Sequence, residues 1–558
     1  MNSIPIRPLR HVVLTIIAAA LAVGGVLVAF PAFAQANGTR ELNKTQQAVQ
    51  LLSRATFGAR PGDVDRVSAI GVDRWLDQQL KPDPNAEGSL QTALAGFPAW
   101  NGPTNALATA NKVEGPNMKG GESRMMVTMN AGVVMTQSRT LSYSSATNNF
   151  TSGKIVRAQV SERQLEEVMT DFWLNHFSVY SGKMPSTFAL IEWERDVIRP
   201  RAFGKFRDLL VAVAHSPAML FYLDNISSRS DSLHRTLAEY MAGTFPAARS
   251  DASKRQGINE NYARELLELH TLGVNGGYTQ PDVVDVARAL TGWTLTQAAG
   301  GSATSRSFAF SPEMHDADSK LVLGHAMAAN RGVEDGDEVL EIIATHPATA
   351  RFIATKLARR FISDTPPASI IDRAAETFTR TDGDIAAVVR TILTSDEFYS
   401  RAAFRTKVKS PLELVVSISR ALDAPPDTSV ASSRMVAQMG EPLFGYLTPE
   451  GWPDAAATWM NSGTMYTRLK FGADVASGQL KYLPTAQWSG WKLENASIEK
   501  QVDGVINALL GGHAEPETRK LMLATTAPDS IPPGGTRGSA RLRELIEIAL
   551  NSPDFQKR

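Results

Sequence analysis

Residues 259–294, NENYARELLELHTLGVNGGYTQPDVVDVARALTGWT, alternate helix starts with helix stops, and their reading sets the fold class. On a helix over 258–272 with Asn261 at zero, Glu265 falls at about +40° and Glu268 at about −20°, at about 100° per residue. Tyr262, Ala263, Leu266 and Leu269 form an apolar stripe on the other side, with His270 inside it. Glu265, Glu268 and His270 therefore cannot close on one ion from a single helix. Gly273 is placed to end the helix in the left-handed conformation, and Asn275-Gly276-Gly277 makes the turn. Thr279 then caps a second helix, with Pro281 in its first turn, Asp282 as the reciprocal acidic partner and Gly292 as the stop.

Working outward, residues 164–178 give another helix, on which Leu165, Val168, Phe172, Trp173 and Phe177 surround His176. Both His176 and His270 are expected to be buried, and a buried neutral imidazole needs partners for its two nitrogens. Each is either a core histidine bonded to a carbonyl or carboxylate, or a ligand or general base in a pocket between the helices. Asp171 or Asn175 would then orient the ring. Glu260, Arg264, Glu265 and Glu268 form either a solvated ion-paired face or the lining of a cleft, where paired carboxylates hold a cation or move protons.

Helical patterning starts at Asn43, which caps a helix through Leu52, breaks at Arg60-Pro61-Gly62-Asp63, and resumes over 64–70 and 72–80 on either side of Gly71. Residues 82–154 are rich in Gly, Asn, Ser and Thr, with scattered Met125, Met126, Met129 and Met135. They read as a variable, low-complexity insertion, poorly ordered or locally strand-forming. The central helical core spans 155–400, with a loop-rich interruption over 298–334, and a section with Pro, Gly and Trp turns follows over 401–558. No βαβ spacing, P-loop or dinucleotide fingerprint occurs. The expected fold is mainly α: a multi-helical globular body with a loop-rich insertion and few or no regular strands.

Arg7 and Arg10, the apolar run 11–30 and Pro31-Ala32-Phe33-Ala34 describe a signal peptide over 1–34, cleaved after Ala34 or Ala36. The protein is then periplasmic or secreted. The alternative is an uncleaved N-terminal helix anchoring it in the inner membrane. With 57 Lys+Arg against 57 Asp+Glu, bulk charge draws the chain toward neither nucleic acid nor anionic lipid. The absence of cysteine excludes disulfides, thiolate metal sites and thiol nucleophiles. No G-x-S-x-G or H-E-x-x-H supports a serine hydrolase or zincin.

A third constellation, EMHDADSK over 313–320, places His315, Asp316, Asp318 and Lys320 on one loop, where turn formation explains them as well as chemistry does. His346-Pro347 marks a helix boundary, and Arg351, Lys356, Arg359 and Arg360 beyond it form a basic segment that reads as a solvated face, with anion binding as the alternative.

Several of these motifs together resemble a bacterial family catalogued as domain of unknown function 1800. They are LLSRATFGARPGDVD (51–65), FWLNHFSV (172–179), MLFYLDN (219–225), the 259–293 block, MHDADSK (314–320), HPATARFIATKLARRFISD (346–364), GWPD (451–454) and SPDFQ (552–556). The resemblance implies a mostly helical exported protein, often encoded beside an exported sulfatase- or alkaline-phosphatase-like protein. It assigns no reaction and no residue role. One functional expectation is a metal-assisted hydrolase. Glu265, Glu268, His315 and Asp316 would hold a divalent cation, and His176, Glu265, His315, Asp316 and Lys320 would carry the chemistry. Others are a non-enzymatic scaffold or maturation partner for the neighbouring protein, and an anchored envelope protein.

Overall fold

The computed structural model describes residues 40–558 apart from 84–85, 98–99, 101–142, 184–185, 232, 244–256, 297–306, 484–490 and 526–535. The signal-peptide segment and the methionines at 125–135 lie outside these residues. Helix starts follow the sequence signals closely. Asn43 caps Lys44–Ala55 in a capping box with Gln46, Gly62 and Gly71 flank Asp63–Ile70, and Val72–Leu80 follows. Asp282 closes back on Thr279, accepting from its backbone N–H at 2.8 Å and its hydroxyl at 2.6 Å. Gly273, at φ 83°, ends the preceding helical run, and a Cβ there would approach the Phe352 ring to 2.9 Å.

Helices make up most of the architecture, so it is mainly α. Strand is confined, among the described residues, to two antiparallel pairs. Trp293–Leu295 pairs with Phe308–Phe310, and Lys320–Val322 pairs with His325–Met327. Both flank or fall within the interruption at 298–334. Helix Pro347–Phe361 packs on Ala368–Arg380, which packs on Ile385–Leu393. Ser462–Ser477 and Ile498–Leu510 both pack on Arg537–Asn551. Trp173, Trp193, Trp293, Tyr262, Phe177 and Phe206 are fully buried among these layers. No helix among the described residues is long and apolar enough to cross a membrane.

Two departures from the sequence reading bear on function. Part of the 82–154 insertion is helical, as Gly88–Leu94 and the longer Tyr143–Val160. The latter lacks an apolar stripe that periodicity could detect. It is held instead by burial of Phe150, Ile155 and Val156 and by an ion pair of Lys154 with Asp171 at 3.0 Å. The second departure is that the 258–272 helix is not uniform. It is α-helical over Glu260–Glu265 and π-helical over Leu266–Thr271, with Leu272 N–H reaching back five residues to the Leu267 carbonyl at 2.8 Å. The wider turn still leaves His270 buried and the two glutamates half-buried on the other side.

Candidate functional site

Four of the motif segments meet at one cavity of about 390 Å³. FWLNHF supplies Phe172, Asn175 and His176, and the π-turn supplies Leu269. HPATARFIATKLARRF supplies Phe352, Lys356, Arg359 and Arg360, at the three- and four-residue spacing that puts them on one helical face. GWPD supplies Trp452 and Asp454. The loop before GWPD adds Glu441, Phe444, Tyr446 and Glu450.

Backbone geometry fixes the loop over the cavity. Asn175 donates to the Trp452 carbonyl at 2.9 Å and accepts from the Trp452 N–H at 2.7 Å, so it is committed to the loop and does not orient His176. Gly451 sits at φ 72°, where an added Cβ would lie 2.1 Å from the Asn175 carbonyl oxygen, so only glycine fits. Trp452 then packs between Tyr446 and Trp459, with ring centroids 4.6 and 5.5 Å away.

The charges divide into paired and unpaired sets. Lys154 is held by Asp171, which is likewise committed and does not orient His176. Glu413 bonds Arg360 at 2.5 Å and forms an ion pair with Arg558 at 2.9 Å, and it also closes the capping box on Ser410. Burial works against ionisation of Glu413, but Arg558 and Arg360 overcome it and lower its pKa. Asp454 binds Lys407 at 2.9 Å, and despite burial the surrounding cations pull its pKa down to about 2. Lys356 differs. Among the described residues no carboxylate lies within ion-pair distance, and its ammonium lies 5.5 Å from the centre of the Phe352 ring. Burial, then the adjacent Arg359 charge, lowers its pKa to about 8.

Glu441 is the opposite case. Burial, with Asp171 and Glu413 adding like charge, raises its pKa to about 8, although the Leu412 N–H bonds it at 2.7 Å. The sign of the resulting pH effect follows from linkage. Between 4.5 and about 8 the folded chain keeps a proton that the unfolded chain has released, so Glu441 lowers stability progressively as pH rises through that window. Glu441→Gln should flatten that slope, with a gain of about 1–3 kcal/mol at pH 8 and little change at pH 4.5. Urea unfolding at the two pH values measures it, and equal gains at both would contradict the assignment.

His176 is buried with its Nε2 3.1 Å from the His270 carbonyl. A carbonyl only accepts, so Nε2 carries the hydrogen and Nδ1 is the free acceptor, without a partner among the described residues. Burial, then the Lys356 charge, holds its pKa well below the ordinary value. His270 departs from the expectation of two bonded nitrogens, since neither has a partner among the described residues. It lies 5.1 Å from Phe177 by ring centroids, and burial drives its pKa to about 3, which keeps it neutral.

The remaining sequence candidates lie elsewhere. His315, Asp316 and Lys320 do come together, but in a buried network rather than on an exposed loop. Asp316 takes Arg288 with both oxygens at 3.0 Å, and Lys320 reaches Asp335 at 2.7 Å and the Asp316 carbonyl at 2.8 Å. His315 Nδ1 lies 2.8 Å from the Thr291 carbonyl, and its Nε2 is 3.5 Å from Asp335. Glu268 accepts from the Tyr278 hydroxyl at 2.8 Å. Glu265 is half-buried, and its pKa is raised by burial, then by Glu268, with Glu450 of the cavity contributing. Glu265, Glu268, His315 and Asp316 are thus not gathered around one point. Among the described residues no three His, Asp or Glu side chains are grouped to hold a metal ion.

The sequence reading places Lys356 and Arg360 on a face weighed between solvent and anion binding, and does not single out Glu413 or Glu441 as site residues. The first two lie in a basic run that resembles a solvated face, and the other two follow a serine cap and a Gly-Glu-Pro turn. The available signal was the apolar stripe Phe352–Ile353–Leu357 beside them, which makes one side of that helix internal. A second cavity of about 460 Å³ has its buried cations already engaged. There Lys409 bonds Ser417 at 3.0 Å and lies over Phe555, while Arg405 pairs with Asp554 at 2.9 Å.

This architecture defines a large helical protein with a polar, aromatic-rimmed cavity at the meeting point of its most distinctive segments. The chain belongs to the family described as protein of unknown function (DUF1800), whose model matches residues 50–557. No curated protein and no solved structure matches it.

Proposed function

We propose that the cavity beneath Trp452 binds a small anionic ligand and moves protons on it, and that the chain is an exported enzyme built around that step. The observation that carries this is Lys356, a cavity-lining ammonium without a carboxylate partner among the described residues, beside Arg359, whose Nε donates to the Asp364 carbonyl at 3.3 Å and which likewise has no carboxylate partner among them. Two adjacent cations without counter-ions favour an incoming anion. Glu441 supplies a protonated carboxyl and Lys356 a partly neutral amine lining the same cavity, the kind of displaced pKa values that acid–base sites use. The metal-assisted hydrolase expected from Glu265, Glu268, His315 and Asp316 lacks an assembled ligand set among the described residues, so the proposal moves the chemistry to this cavity. Export remains part of it on the strength of the signal-peptide pattern in residues 1–34.

Inorganic phosphate and sulfate are the first probes. Calorimetry should detect binding to the wild type, weakened at least about tenfold in Lys356→Met/Arg359→Ala, which corresponds to about 1.4 kcal/mol. Equal binding by both proteins, or none by the wild type, would remove the proposal. A second reading, docking of a partner such as the exported sulfatase- or phosphatase-like neighbour, draws support from Leu447, Met460 and Tyr466. They are 70%, 40% and 69% exposed on the segment that includes the cavity loop. Loss of co-purification in Leu447→Asp would favour it.

A further inference from the structure

We infer that Lys356 is a nucleophile that forms a reversible imine with an anionic aldehyde or ketone held in this cavity, an inference that rests on the anion-binding reading above. The other lysine lining the cavity, Lys154, has its ammonium engaged by Asp171 at 3.0 Å, with Glu194 at 3.9 Å. Lys356 has no such partner among the described residues, and it stands between an aromatic ring one turn earlier and a guanidinium one turn later. A lysine set against an apolar surface and a second cation is the arrangement that yields an amine nucleophile near neutral pH. The groups acting on it from neighbouring elements are His176 and His270, both held neutral, and Glu450 and Asp454 from the loop. The two carboxylates only partly offset burial and Arg359. With its pKa at about 8, about a quarter of the amine is unprotonated at pH 7.5, against about a thousandth for an ordinary lysine.

The step balances without a further reactant. The Nζ lone pair forms a bond to the carbonyl carbon, and the C=O π electrons pass to oxygen. A proton moves from nitrogen to that oxygen to give a carbinolamine. Loss of its hydroxyl as water forms the C=N bond, and Glu441 is a protonated carboxyl lining the same cavity that can supply the proton and take back the one released from nitrogen. The net change is one carbonyl and one amine converted to one imine and one water. The ligand's anionic group would remain with Arg359, so the substrate class is a carbonyl compound carrying a carboxylate, sulfate or phosphate.

Pyridoxal 5′-phosphate, an aldehyde bearing a phosphate, is a suitable probe of the full chain. Borohydride reduction followed by peptide mapping should place one rapidly trapped equivalent on Lys356. Inorganic phosphate should slow trapping at least tenfold, and the rate should rise with a midpoint near pH 8. Lys356→Arg, shown folded by circular dichroism, should trap nothing at this peptide whatever its phosphate affinity. Trapping spread over surface lysines without phosphate protection would overturn the inference, as would unchanged trapping in Lys356→Arg. Phosphate binding without trapping would sink the imine while leaving the anion site intact, and failure of both would sink both.

Discussion

Asp316→Ala is expected to destabilise the protein by about 3–5 kcal/mol, because it strips the buried Arg288 guanidinium of its two-oxygen partner and leaves it, among the described residues, only Asp285 at 2.8 Å as a carboxylate partner. Asp316 is fully buried, and both carboxylate oxygens are used by Arg288 at 3.0 Å. Its backbone N–H donates to the Thr291 hydroxyl at 2.8 Å, so the residue also ties the 311–320 loop to the end of helix Gln280–Ala289. Asp316→Asn keeps the shape but loses the charge and should fall between the two. Urea unfolding measures the loss. Phosphate binding, measured at a temperature where the variant is folded, should match the wild type. A variant as stable as the wild type but unable to bind would return Asp316 to the functional role its sequence context suggests.

That case shows why the fold was more legible than the site. Helix caps and stops depend on residues three or four positions apart, so Asn43, Thr279 and Gly273 announce their roles within one short window. The burial of His176 and His270 was also local information, since each sits in an apolar stripe. Whether a polar residue acts or merely holds the structure depends on partners far along the chain. Asp316 looked functional because its partner Arg288 lies 28 residues away, and Lys356 looked structural because nothing nearby shows that it lacks a partner. The helix Tyr143–Val160 failed for a related reason: its support is tertiary, through Lys154 and Asp171, and its own sequence has no period to read. The π-turn at Leu266–Thr271 has no compositional mark either, although its last turn carries the His270 carbonyl that fixes the His176 ring.

Glu413→Gln should move stability and ligand affinity in opposite directions, which no purely structural or purely binding residue would do. The carboxylate is the shared counter-charge of Arg360 and Arg558, at 2.5 and 2.9 Å, both almost wholly enclosed. Arg54 lies close enough for its own pKa to be lowered by burial and then by Arg558, so the region already holds more buried cation than anion. Removing one negative charge there should cost about 3–5 kcal/mol, as for other buried pairs broken from one side. The capping box on Ser410 can survive in part, because the amide oxygen still accepts the Ser410 N–H. The same change leaves Arg360 with a less compensated charge on the cavity wall, where Lys356 and Arg359 await an anion. Phosphate affinity should therefore rise, by about threefold to tenfold at low ionic strength and less at high salt. The pKa of Lys356 should fall further, shifting the pH midpoint of its trapping downward. Denaturation and calorimetry on the one variant test both directions at once. Loss of stability with unchanged affinity would mean that the cavity wall does not sense this charge, and the anion site would have to be sought elsewhere.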